Sequence, residues 1–255
     1  MASVFASGFF SSAPVHVALS IGGIVAVVSA LVGTFTVIRG QSFAGHALSD
    51  IGTAGGSAAL LAGIPTLYGF VAMNLAAAGV MEIIGVRRPR ARDLATGIVL
   101  GASLGLAALF LYWDTTYSNT TGATISVLFG SIFTISSNTV PLVAVLGIAT
   151  VAMMVVLYRP LLLSSVSDEL AAAHRVPLRL VGIGYLLALA IAVSLSAVTI
   201  GAILSTALLI GPAAAALRIT KRTGMAIVVA AVIGVSATWL GILLAYDSAS
   251  WSRGR

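Results

Sequence analysis

Two ionisable residues, His46 and Asp50, stand four positions apart in the run SFAGHALSDIGTAGGSAALLAG, which begins at Ser42 and is otherwise without charge. On a helix that spacing projects an imidazole and a carboxylate from one face, close enough together to ligate one ion. Neutral imidazole with carboxylate suits zinc, manganese or ferrous iron, whereas calcium and magnesium ordinarily take an all-oxygen shell. One such pair supplies two ligands. A symmetric dimer would supply four, enough for a closed coordination sphere. The same spacing also serves a His-to-Asp hydrogen bond that holds helices together, or a proton relay, and spacing alone leaves the three open. At about 100° per residue, Ser42, His46, Ser49, Asp50, Thr53 and Ser57 fall within a sector about 100° wide, a continuous polar stripe that is the candidate pathway lining. Gly45, Gly52 and Gly56 form the adjoining strip, where another helix backbone can approach closely.

Other chemistry is sparse. The chain has no cysteine, which excludes thiolate ligation, disulfides and thiol catalysis. Asp93 follows a basic run and suits a helix start, while Glu82 and Asp114 fall near span ends, where snorkelling or head-group contact suffices. Met73, Met81, Met153, Met154 and Met225 have no clustered spacing and read as packing residues, and His16 reads as an outer-surface residue. No phosphate-binding GxxxxGK[ST] loop, HExxH site or paired nucleophile and base is present, so a transport role without catalysis is expected. If ATP drives this protein, a separate chain must hydrolyse it.

The elements that must position the pair are membrane helices. Of 255 residues 59% are hydrophobic and 8% charged, and the mean hydropathy is +1.12, far from the balance of a water-soluble domain. The apolar runs are long and unbroken, unlike the short alternating strands of a barrel. An all-α integral membrane protein follows, a single domain over 1–255 with about eight spans at 15–38, 43–62, 64–85, 93–113, 138–158, 177–197, 199–216 and 223–246. The stretch 121–136 is too interrupted for a span and reads as a short interfacial or re-entrant helix. Pro65, Pro177 and the Gly211, Pro212 pair punctuate or kink helices near span borders. The N-terminal MASVFASGFFSSAPVH lacks the basic start of a secretory signal, so no cleavage is expected.

The basic residues support this map and explain the net charge of +6 without nucleic acid. Arg39, Arg87, Arg88, Arg90, Arg92, Arg159, Arg175, Arg179, Arg218, Lys221 and Arg222 all fall on one side, leaving Arg253 and Arg255 on the other. Both termini are therefore expected outside and the 159–176 loop in the cytoplasm. Within that loop Ser167 suits an N-cap, Asp168 and Glu169 a helix N-terminus, and His174 and Arg175 its other end before Pro177. This short helix is either a capped connector or a surface on which a partner protein pushes.

From Arg39 to Leu217 five segments occur in order: RGQSFAGHALSDIG, RARDLATGIVLG, LFGSIFTIS, YRPLLLSSVSDELAAAHRVP and VTIGAILSTALLIGPAAAA. Together with the hydropathy profile they resemble the membrane permease family of ABC transporters for zinc, manganese and iron. The resemblance implies a type II-like ABC importer permease in a bacterial cytoplasmic membrane, with a second permease copy and two cytoplasmic ATPase subunits. An extracellular metal-binding lipoprotein or periplasmic protein would deliver a divalent metal ion, which is cargo rather than a permanent cofactor. The resemblance makes Asp168, Glu169 and Leu170 part of a coupling helix for the ATPase, and His46 and Asp50 part of the metal pathway. The family order is GDxxxH, whereas here Gly45 precedes His46 and Asp50 takes the later position, so the two ligand types have exchanged places. A permease for haem or a siderophore, which would favour a wide apolar or aromatic cavity, and a proton-coupled secondary carrier are the competing readings.

Overall fold

The computed structural model describes residues 12–84, 89–117, 121–130, 132–133 and 135–253. Expectations for the N-terminal residues before Ser12, and for Arg87, Arg88 and Arg255, lie outside the described residues, as do those for the side chains of Arg90, Arg92, Asp93, Asp168 and Arg253.

With no water in the bilayer core, each backbone N–H and C=O must be paired within its own segment, and helices do this. In chain order they are α1 (Ala13–Ile38), α2 (Ser42–Leu61), α3 (Thr66–Ile84), α4 (Pro89–Tyr117), α5 (Thr121–Phe129), α6 (Val140–Val166), α7 (Asp168–Ala173), α8 (Leu178–Ile200), α9 (Ala202–Ile219) and α10 (Thr223–Arg253). The eight long helices correspond to the eight expected spans. Six of them, α1, α4, α6, α8, α9 and α10, are long and apolar enough by composition to cross a bilayer.

The long helices sort into an inner and an outer layer. The most apolar stretches of α1 and α8 are 61% buried by the rest of the chain, whereas those of α4, α6 and α10 are only 17–22% buried. The second group therefore presents its apolar side chains to lipid or to another subunit. Helix α2 packs against α3, α4, α8 and α9, with residues from Gly45 to Ala59 largely enclosed. The enclosed part of the helix carries Ser49, Thr53 and Ser57, whose hydroxyls are met within the protein.

Hydroxyl and amide side chains link the inner helices. Ser29 on α1 bonds Ser196 on α8 at 2.8 Å, Asn74 on α3 donates to Ser194 at 2.9 Å, and the Tyr185 hydroxyl donates to Thr36 at 2.8 Å. Arg39, expected only as a marker of the inner side, also ties elements together. It donates to Ser164 of α6 at 2.7 Å and its guanidinium lies 5.3 Å from the centre of the Tyr185 ring on α8.

The close backbone approach involves a different glycine from those of the expected strip. A Cβ on Gly55 would collide with the carbonyl of Gly69 on α3, and one on Gly69 with the carbonyl of Gly55. Gly52 instead makes room for the Asn74 amide and the Phe70 ring, Gly56 for the Phe70 ring, and Gly45 faces the Leu209 side chain. Two borders also move. Helix α6 continues past 158 to Val166, so Arg159 and Pro160 belong to it and not to a loop. Pro212 lies inside α9, as it does inside the expected span 199–216. Helices α8 and α9 are separated by Gly201 alone, whose φ of +89° only glycine adopts readily. The backbone at Leu128 and Phe129 lies so close to Gly201 that a Cβ there would collide with it. Asp114, expected at the head groups, is 2% exposed and hence inside the fold.

Candidate metal site on the second helix

Three residues separate the end of α1 from the start of α2, and Ser42, His46 and Asp50 follow one helical row over the first three turns of α2. His46 Nε2 and Asp50 Oδ2 are 3.5 Å apart, with side chains 52% and 21% exposed. On the far side of the ring, His46 Nδ1 is 3.2 Å from the hydroxyl of Thr206 on α9. The pair thus has one edge on the protein and one edge open.

The polar stripe divides into two parts. Ser42 is half-buried beside the open edge, whereas Ser49, Thr53 and Ser57 are buried. The Ser49 hydroxyl bonds Ser205 of α9, Thr53 bonds the carbonyl of Asp50, and Ser57 donates to the carbonyl of Thr53 at 2.6 Å. These three hydroxyls satisfy helix contacts within the protomer. A one-residue difference in position, Asp50 against Ser49, separates the open part from the packed part, because adjacent residues are about 100° apart on a helix.

Among the described residues no group of three or more His, Cys, Asp or Glu side chains converges to hold a metal. One chain therefore offers the two side chains that the spacing indicated. Cis ligands at about 2.1 Å from a metal and about 109° apart lie about 3.4 Å from each other. The observed 3.5 Å separation of Nε2 and Oδ2 is compatible with that arrangement without rearranging the helix.

Sequence reasoning did not single out Thr206. The signal available was the adjacent polar pair Ser205, Thr206 in the otherwise apolar start of α9. The two hydroxyls divide between Ser49 and His46.

At the other functional segment, α7 is a defined unit. The Ser167 hydroxyl accepts from the Leu170 N–H at 3.3 Å, as a capping serine does. At the far end Val176 N–H bonds the Ala171 carbonyl at 3.0 Å and Arg175 N–H the Ala172 carbonyl at 2.9 Å, with Arg175 at φ +56°, a Schellman closure. Ala171 is fully buried and Leu170 48% exposed, and Glu169 is exposed. The short helix is thus anchored on α6 and α8 by one face and presents Glu169 and Leu170 on the other.

A separate apolar cleft of about 930 Å³ opens between α5, α9 and α10, with Phe129, Phe133, Leu208 and Ile242 among its walls. Among the described residues its lining includes no histidine, methionine, tyrosine or basic side chain.

Comparison with known proteins agrees with this architecture. A "Manganese transport system membrane protein MntC" of Listeria innocua is 24% identical over 62% of this chain and 55% of its own length. A "Manganese import system permease protein ScaB" of Streptococcus pneumoniae is 28% identical over 61% of this chain and 54% of its own. The matched part of the chain thus spans about half the length of these curated relatives. The solved structure of PsaBC from Streptococcus pneumoniae in complex with Fab superposes with a TM-score of 0.80 at 26% identity, covering 94% of this chain and 85% of that one. The sequence also matches the ABC 3 transport family over residues 13–254, from the first residue of α1 to the end of α10. With that match running the length of the helical bundle, the chain belongs to the ABC 3 transport family and is a multi-pass protein of the bacterial cell membrane.

Proposed function

We propose that this chain is the permease subunit of an ATP-driven importer for a divalent transition metal, and that His46 and Asp50 from two copies form the ion site of the pathway. The observation that carries the proposal is the His46 to Asp50 pair, held at a spacing compatible with cis metal ligands and open on one edge. The manganese systems named for its relatives favour manganese as the cargo over zinc or iron. A mixed imidazole and carboxylate set accepts all three ions, and a hard carboxylate suits manganese well.

Hydrolysis takes place on separate ATPase subunits, which meet the exposed face of α7 through Glu169 and Leu170, next to Asp168. An extracellular binding protein delivers the ion. Haem or a siderophore fits the apolar cleft poorly, since the described residues of its walls offer neither an axial ligand nor a cation for carboxylates.

Uptake of manganese, zinc and iron is measured by elemental analysis in cells that lack the chain and then regain it. His46→Ala and Asp50→Ala are each expected to cut uptake at limiting metal by at least about a hundredfold, beyond the 10–100-fold usual for an outer-shell change. Full uptake by well-inserted alanine variants would eliminate the metal-site reading.

A further inference from the structure

We infer that Thr206 is a positioning residue, holding His46 in the tautomer whose Nε2 lone pair faces Asp50 and the arriving ion. The inference deepens the metal-site reading and rests on it. Two polar atoms flank the ring: the Thr206 hydroxyl at 3.2 Å from Nδ1, and Asp50 Oδ2 at 3.5 Å from Nε2. The first lies at the edge of hydrogen-bond range and the second beyond it.

A neutral imidazole has one N–H and one lone pair, so its two nitrogens cannot play the same part. An ion shared with Asp50 must take the nitrogen on the Asp50 side, which is Nε2. The proton then resides on Nδ1 and needs an acceptor, and the Thr206 hydroxyl oxygen is the group in place to accept it. If Nε2 carried the proton instead, it would point at the Asp50 carboxylate and close the pair against the ion. A ligating histidine whose second nitrogen is held in this way keeps both its ring orientation and its tautomer, and losing the holder commonly costs 10–100-fold in metal affinity.

The holder sits on a firm base. Thr206 follows Ser205, which is buried against Ser49 of α2, so the α2 and α9 backbones are fixed to each other one residue away. Gly201 starts α9 next to the LFG segment, and the register of Thr206 against His46 is thereby set from the α9 end as well. The exchanged order of the two ligand types adds a reason for such a device. It places the imidazole one turn nearer the start of α2 than the carboxylate, at the level where α9 supplies a hydroxyl.

The chain has three histidines, so selective 15N-histidine labelling of the full permease in lipid nanodiscs gives few resonances, and the His46→Ala spectrum identifies the one wanted. Before metal is added, His46 is expected to show protonated Nδ1 and unprotonated Nε2, and zinc chloride should then perturb Nε2. Thr206→Val, which keeps the shape and removes the acceptor, should give a mixture of tautomers and about tenfold or more weaker zinc binding. Thr206→Ser should restore both. A resting His46 protonated at Nε2, or a Thr206→Val protein with unchanged tautomer and affinity, would overturn the role of Thr206. The expected tautomer with no response of His46 to zinc would instead sink the metal-site reading and leave Thr206 as a packing contact, so the two failures are distinguishable.

Discussion

At the scale of single residues, His46 and Asp50 are separated from the hydroxyls around them by one step of helix rotation. Ser49 is buried against α9 while its neighbour Asp50 reaches the open edge. The exchange variant His46→Asp with Asp50→His keeps the same side-chain types in the dimer and reverses their depth. We expect it to retain metal uptake that both alanine variants lose, at a lower rate because the imidazole then leaves Thr206. A loss as complete as in the alanine variants would mean that depth, and not the ligand set, decides transport.

At the scale of elements, α7 and the α2 to α3 crossing carry separable roles. Ser167 caps α7 and a left-handed Arg175 closes it, so a proline at position 170, in the first turn, would remove the cap bond without breaking a long helix. A surface change is the cleaner probe. Leu170→Asp should leave the permease inserted and folded, since the side chain is already half exposed, yet should lower co-purification of the ATPase and metal uptake together by about tenfold, the effect of about 1.4 kcal/mol at an interface. Normal assembly and uptake in that variant would reduce α7 to a connector. The Gly55 and Gly69 contact should respond in the opposite sense, through folding. A leucine at Gly55 must push apart two helix backbones that touch, and a loss of more than about 3 kcal/mol is expected, read as low yield and a lowered melting temperature in detergent. A stable Gly55→Leu protein would show that α2 and α3 can separate without harm.

At the scale of the whole molecule, the distribution of charge sets the orientation. Eleven of the thirteen basic residues fall on one side of the expected span map, and such a bias orients helices in the membrane. The chain contains no cysteine, so each introduced cysteine reports alone. A membrane-impermeant thiol reagent added to intact cells should label a cysteine at Asn138 strongly and one at Leu170 or Arg90 weakly. Strong outside labelling at position 170 or 90 would invert the map. The thinly covered outer helices α4, α6 and α10 belong to the same scale, because they are the faces available to lipid and to other subunits.

Most of the helices were legible without coordinates, because a spanning segment is a property of local composition and length. The eight long elements, the short helix before Gly130 and the capped α7 all follow from runs of apolar residues, glycine, proline and capping chemistry. The end of α6 moved because the helix runs on through a proline. Pro160 and Pro212 lie inside α6 and α9, since neighbouring helices can meet the backbone groups that a proline frees. The four-residue spacing of His46 and Asp50 likewise determined that they share a face. Nothing local could reveal that the stripe divides at Ser49, that Gly55 and not Gly52 or Gly56 touches another backbone, or that Asp114 is buried. Those outcomes, and the meeting of His46 with Thr206 from 160 residues along the chain, depend on which helix lies beside which. That arrangement is decided by side-chain packing between distant segments, which only the tertiary structure contains.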